Sequence, residues 1–113
     1  MLTIYHNPRC GKSRETLKII HESGQSANVV EYLKVCPSFE TLKELLKKLD
    51  MKPEEIIRKG EKIFKEEYKG KSLSDDEWVQ AMVDYPILIE RPIVVKGNKA
   101  IVGRPPENVK VLL

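Results

Sequence analysis

Cys10 lies in the segment Ile4-Tyr5-His6-Asn7-Pro8-Arg9-Cys10-Gly11-Lys12-Ser13-Arg14, where a short apolar run leads into a polar turn and a helical pattern leads out. This order places a thiol at or near the N-terminus of a helix. Free backbone N–H groups and the positive end of the macrodipole favour an anion there. Arg9, Lys12 and Arg14 add positive charge within a few residues. The thiolate is the nucleophilic form of cysteine, and such surroundings lower the thiol pKa. The same groups attract an oxyanion. The segment thus predicts a nucleophile together with the class of molecule it attacks.

Arginine is used sparingly elsewhere. Of 20 basic residues only Arg9, Arg14, Arg58, Arg91 and Arg104 are arginine, the rest being lysine. Arg91 precedes Pro92 and Arg104 precedes Pro105. A residue before proline is held extended, which aims its side chain, and the planar guanidinium fork suits bidentate oxyanion contacts.

Several familiar motifs fail. Gly11-Lys12-Ser13 matches the end of a phosphate-binding P-loop, but His6 stands where the first glycine is required. A cysteine-phosphatase loop needs arginine six residues after the cysteine, where Thr16 stands. A C-x-x-C redox pair needs cysteine at Ser13. Cys10, Cys36, His6 and His21 lack metal-ligand spacing apart from His6 with Cys10, so no metal is expected. Cys36, between Val35 and Pro37, reads as a small structural hydrophobe, and His21 as a residue near a helix end.

The elements that must position Cys10 follow from periodicity and punctuation. Leu2 to Tyr5 is a short strand, a helix after Cys10 carries Leu17, Ile19 and Ile20 and stops at Gly24, and Val29, Val30 and Tyr32 mark a second strand. Links this short between two strands and a helix imply a parallel pair with a right-handed crossover. Leu42, Leu45, Leu46 and Leu49 form one helical stripe with Ser38 as N-cap. Pro53 opens a short helix with Ile56 and Ile57, closed by Gly60, and Ile63, Phe64 and Tyr68 suggest another. Ser74 and Glu77 form a capping-box pattern before Trp78, Ala81 and Met82. Ile93-Val94-Val95 and Ala100-Ile101-Val102 flank the Gly97-Asn98 turn of an antiparallel hairpin. Pro105 or Pro106 then begins a C-terminal helix with Val109 and Leu112 inward. The order β-α-β, helical insert, β-β-α is that of an α/β, thioredoxin-like fold with a mixed four-stranded sheet. One domain over residues 1–113 is expected, with the helical insertion at about 38–85.

A net charge of +3 spread over interleaved lysines and glutamates gives no nucleic-acid footprint. No apolar run is long enough for a bilayer, and no secretory or transit pattern is present, so no membrane association is expected. Two cysteines are too few for a disulfide framework, and the expectation is a cytoplasmic monomer with reduced thiols.

Taken together, His6-Asn7-Pro8-x-Cys10-Gly11-x-Ser13-Arg14, Ile56-Ile57-Arg58-Lys59, the run from Pro86 to Val95 containing Glu90-Arg91-Pro92, and Gly103-Arg104-Pro105 resemble the glutaredoxin-coupled bacterial arsenate reductases. The resemblance covers essentially the whole chain in order. It implies reduction of arsenate to arsenite with glutathione as co-substrate, glutaredoxin as partner and no bound cofactor. Residue by residue, it implies Cys10 as the nucleophile that forms a thiol–arsenate adduct and Arg58, Arg91 and Arg104 as oxyanion ligands. His6, Ser13 and Arg14 are implied to support the thiolate, and Pro92 is implied to be a cis-proline facing the cysteine. Arg9 and Lys12 depart from the small neutral residues found beside the cysteine in the best-characterised reductases. That departure keeps open a thiol oxidoreductase of the same fold acting on another substrate. A non-enzymatic, polymerase-binding regulator is the third reading, which the three arginines disfavour.

Overall fold

The structure is a computed structural model and describes residues 2–113. The chain forms two compact units, one ending at Val35 and resuming over Arg91–Leu113, the other spanning Cys36–Glu90. The helical segment expected over about 38–85 lies inside the second.

The first unit is built on β1 (Leu2–His6), α1 (Gly11–Glu22), β2 (Ala27–Glu31), β3 (Ile93–Lys96) and β4 (Lys99–Val102). The sheet order is β2-β1-β3-β4. β1 and β2 are parallel, with Ile4 opposite Val29, while β3 runs antiparallel to both β1 and β4. This is the mixed sheet of a thioredoxin-like fold, with β1 central. Side chains alternate along a strand, so Leu2, Ile4 and His6 face inward together and all three are buried. Leu2 and Ile4 pack with Ile20, Val94, Val109 and Leu112. Burying each such aliphatic side chain contributes about 1.5–3 kcal/mol. α1 ends where Ser23 and Gly24 return N–H bonds to Ile19, Ile20 and His21 carbonyls, Gly24 taking the left-handed φ of 83°. The hairpin between β3 and β4 closes on Gly97 and Asn98, with Gly97 at φ 61°.

Several details differ from expectation. Residues Pro106–Leu112 form a 3₁₀ helix rather than an α-helix. The inward pair Val109 and Leu112 fits three residues per turn, and Asn108 Nδ2 donates to the Val102 and Arg104 carbonyls, tying this segment to the strand end. β2 ends at Glu31, one residue before Tyr32, because the Glu31 carbonyl accepts from Lys34 and Val35 in a turn. Cys36 is exposed rather than a buried hydrophobe. It stands between that turn and α2 (Phe39–Leu49), and its Sγ lies 3.3 Å from the Pro37 carbonyl and 3.6 Å from that of Val83.

In the second unit, Ser38 Oγ accepts the Thr41 N–H at the start of α2, and Leu42, Leu45 and Leu46 are buried. α3 (Lys62–Glu67) and α4 (Asp75–Asp84) follow. Ser74 and Glu77 bond each other reciprocally at 3.2 and 3.0 Å, the capping box expected at the head of α4. The helix opened by Pro53 is 3₁₀ and stops at Ile56 instead of running to Gly60. Ile57 is drawn out to pair with Ile89, and Arg58 N–H donates to the Leu88 carbonyl at 2.8 Å. Among the described residues no helix is long and apolar enough to cross a membrane.

Candidate active site

β1 carries the chain to His6, a four-residue turn follows, and α1 begins at Gly11 with Cys10 as its N-cap in an extended conformation. The turn is tied at every residue. Cys10 N–H donates to the Asn7 carbonyl at 3.0 Å, Arg9 N–H to Asn7 Oδ1 at 3.0 Å, and Arg14 Nη1 to the Pro8 carbonyl at 2.9 Å. Ser13 Oγ, fully buried, accepts the Asn7 N–H at 3.1 Å and sits 2.6 Å from His6 Nδ1. Burial holds His6 below its ordinary pKa, with Glu31 pulling the other way and Arg14 reinforcing the drop. His6 Nδ1 and the Ser13 hydroxyl form one short hydrogen bond inside the turn. His6, Ser13 and Arg14 are thus the internal struts of the cysteine turn, Arg14 through its bond to Pro8.

Arg91 and Arg104 arrive from the far end of the chain. Arg104 Nε donates to the Arg91 carbonyl at 2.8 Å, and its Nη2 reaches Cys10 Sγ at 3.4 Å. The Arg91–Pro92 and Arg104–Pro105 peptides are both cis. Gly103 N–H donates to the Pro92 carbonyl at 2.9 Å. A Cβ at Gly103 would stand 2.7 Å from Pro92 Cγ and 2.7 Å from Thr16 Oγ1, so this glycine permits the close approach of β4, Pro92 and α1.

The Cys10 thiol is held below its ordinary pKa. Partial burial works against this, but the N–H of Ser13, the Arg91 side chain, the Lys12 N–H and the charge of Arg104 outweigh it. A thiolate with two guanidiniums around it can attack an electrophilic centre while its anionic oxygens are held. Cys36 shows the opposite character: the residue is exposed, but partial cover of its sulfur pushes the thiol up. Both thiols are free. Among the described residues no group of three or more histidine, cysteine or acidic side chains is placed to hold a metal.

Arg58 belongs to the second unit. Its Nε meets Glu61 Oε2 at 3.1 Å and its Nη1 meets Glu90 Oε1 at 2.7 Å. Burial opposes the charge, yet the two carboxylates raise its pKa above the usual value. The i, i+3 partner Glu61 is visible from spacing, whereas Glu90 is not. Three positions carry roles that the sequence left unassigned: Asn7, whose signal is the turn-forming Asn-Pro pair; Thr16, fully buried with Oγ1 donating to the Lys12 carbonyl at 2.8 Å; and Gly103.

Alkylation should expose the activated thiol directly. The rate at Cys10 is expected to reach half-maximum at a lower pH than in the urea-unfolded chain, and Cys36 at a higher one. The same depression makes folding stability rise with pH between the folded and unfolded Cys10 values and level off above the unfolded one. Cys10→Ser should lack that rise in urea titrations. Identical alkylation midpoints for folded and unfolded protein would refute the activation.

A model of the ArsC family matches residues 5–112. The chain is 51% identical over 94% of its length, and 91% of the relative, to the uncharacterized protein YfgD of Escherichia coli (strain K12). It is 40% identical, over 99% of its own length and 97% of the relative, to an arsenate reductase of Neisseria meningitidis serogroup A. A solved arsenate reductase from Vibrio cholerae superposes with a TM-score of 0.95 at 46% identity, covering 99% of this chain and 97% of that one.

Proposed function

The chain belongs to the ArsC family, and from that premise we propose that it reduces arsenate to arsenite, with Cys10 as nucleophile and glutathione and glutaredoxin as electron donors. The observation that carries this reading is the Cys10 sulfur at a helix N-terminus with the Arg104 guanidinium at 3.4 Å and Arg91 beside it. The names of the similar proteins support arsenate as the oxyanion. Arg58 is assigned to the oxyanion on the sequence resemblance alone.

In the proposed cycle the Cys10 thiolate bonds to arsenic, and an arsenate hydroxyl takes a proton from solvent and leaves as water. Glutathione thiolate then attacks the Cys10 sulfur. The S–S bond forms, the S–As bond breaks, and its electron pair stays on arsenic as arsenite. Glutaredoxin clears the mixed disulfide by thiol exchange, returning the Cys10 thiolate. The protein acts here as a cytoplasmic monomer with no bound cofactor. Oxidation of NADPH in a mixture of glutathione, glutathione reductase and glutaredoxin tests the proposal, and arsenate must accelerate it. A rate indifferent to arsenate defeats it.

One observation favours a second reading, a thiol oxidoreductase for another substrate. The Arg9 and Lys12 side chains, both exposed, join no ion pair among the described residues. Arsenate-independent reduction of a mixed disulfide in the same assay would select it.

Arg91→Lys is expected to weaken oxyanion binding about tenfold, on the order of one charge-assisted hydrogen bond, because a point charge does not replace a planar fork. Calorimetric titration with arsenate or sulfate measures this. Unchanged affinity in both Arg91→Lys and Arg91→Ala would remove Arg91 from the site.

A further inference from the structure

A groove of 230 Å³ lies against the cysteine turn, within the first unit, lined by His6, Pro8, Arg9, Glu31, Leu33 and Lys34 among others. Pro8 and the exposed Leu33 give it apolar walls. Its charges are two cations, Arg9 and Lys34, and one anion, Glu31. Lys34 Nζ stands 3.5 Å from Glu31 Oε1, both side chains well exposed. Such a pair is weak and can give way to a ligand that satisfies both partners. Arg9 has no acidic partner among the described residues. The wall that carries Arg9 is rigid, since Asn7 Oδ1 holds the Arg9 N–H and Arg14 holds the Pro8 carbonyl. Arg9 and Cys10 are neighbours, about 3.8 Å apart at Cα, and an extended tripeptide spans roughly 10 Å. Cys10 itself does not line the groove, but its place next to Arg9 in the turn sets it within the span of such a ligand.

We propose that this groove is the donor-thiol subsite, taking a zwitterionic peptide thiol of the glutathione class, with its two carboxylates on Arg9 and Lys34 and its ammonium on Glu31. The inference rests on the reading that an external thiol discharges Cys10, and it adds where that thiol sits and which charges select it. Two cations and one anion complement two carboxylates and one ammonium, a pattern that a small neutral thiol does not offer.

The test uses the intact protein and no arsenate. The Cys10 thiolate attacks one sulfur of glutathione disulfide; the Cys10–glutathione S–S bond forms, the original S–S bond breaks, and glutathione thiolate leaves. Mass spectrometry follows this rate against that with hydroxyethyl disulfide, which is neutral, and the readout is the ratio of the two. Arg9→Ala and Lys34→Ala should each lower the ratio about threefold and the double variant about tenfold. Using the ratio cancels any change in the thiolate itself. Glu31→Gln should lower the rate with glutathione disulfide, yet leave or raise that with 3,3′-dithiodipropionate, a dianion without ammonium groups. An unchanged ratio in the double variant overturns the assignment. A Glu31→Gln variant that speeds both anionic disulfides also overturns it, since charge attraction without a site gives that result. Because none of these rates involves arsenate, failure of the groove and failure of the arsenate reading are told apart.

Discussion

Cys10→Ser is expected to bring arsenate-dependent NADPH oxidation down to the enzyme-free background, a loss of more than about 10³-fold of the kind seen when a nucleophile is removed. The serine hydroxyl stays protonated where the thiol ionises, so neither the helix N–H groups nor Arg91 and Arg104 have an anion to stabilise. The fold should persist, because Cys10 is only partly buried and belongs to a turn held by Asn7, Ser13 and Arg14. Cys36→Ser should retain near-normal turnover. Its thiol is pushed up rather than down and its Sγ lies against two backbone carbonyls. If Cys36→Ser instead stops turnover after the first adduct, Cys36 resolves the cycle internally and the external-thiol mechanism is wrong.

Gly103→Ala should damage both stability and the thiol. The added methyl meets Pro92 and Thr16 at 2.7 Å, well inside contact distance, and both neighbours are ring or buried atoms with little freedom to move. Overpacking of this sort costs about 1–3 kcal/mol. Relief requires β4 to part from Pro92, which carries Arg104 and Arg91 away from Cys10. We expect a lower melting temperature together with a rise in the alkylation midpoint of Cys10 toward the ordinary value. Gly60→Ala serves as the control, since nothing lies within 4 Å of a Cβ there. A Gly103→Ala protein with unaltered melting and unaltered Cys10 reactivity would show that the close approach is not needed.

The readable parts of this chain are those whose causes are local. The apolar run from Leu2 to Tyr5 states where the first strand lies, and Ser74 with Glu77 states where a helix begins. Gly97-Asn98 marks its hairpin because only a positive φ closes so short a turn. Cys10 was legible for the same reason, since strand, turn and helix are contiguous around it. The environment of its sulfur was less so. Without the sequence resemblance, nothing near residue 10 announces that Arg104 will bond both the Arg91 carbonyl and the thiol. Glu90 as partner of Arg58 is 32 residues away and depends on the Ile57–Ile89 bridge. The 3₁₀ geometry of the C-terminal segment depends on Asn108 finding the end of β4. Gly103 carries no unusual φ, so its necessity lies entirely in what packs around it.

The central position of β1 has a consequence for how the protein is made. Its partner on one side, β2, follows within 25 residues, but its partner on the other, β3, begins at Ile93. Folding follows the order of synthesis, N-terminal parts first, and Cys10 leaves the ribosome well before Arg91 and Arg104. Until the hairpin of β3 and β4 docks onto β1, Cys10 lacks its cationic neighbours. The thiolate is therefore armed only once β3 and β4 have been made and docked, and a nascent polypeptide short of them carries a cysteine without its cationic neighbours through the period when it has no finished fold to protect it.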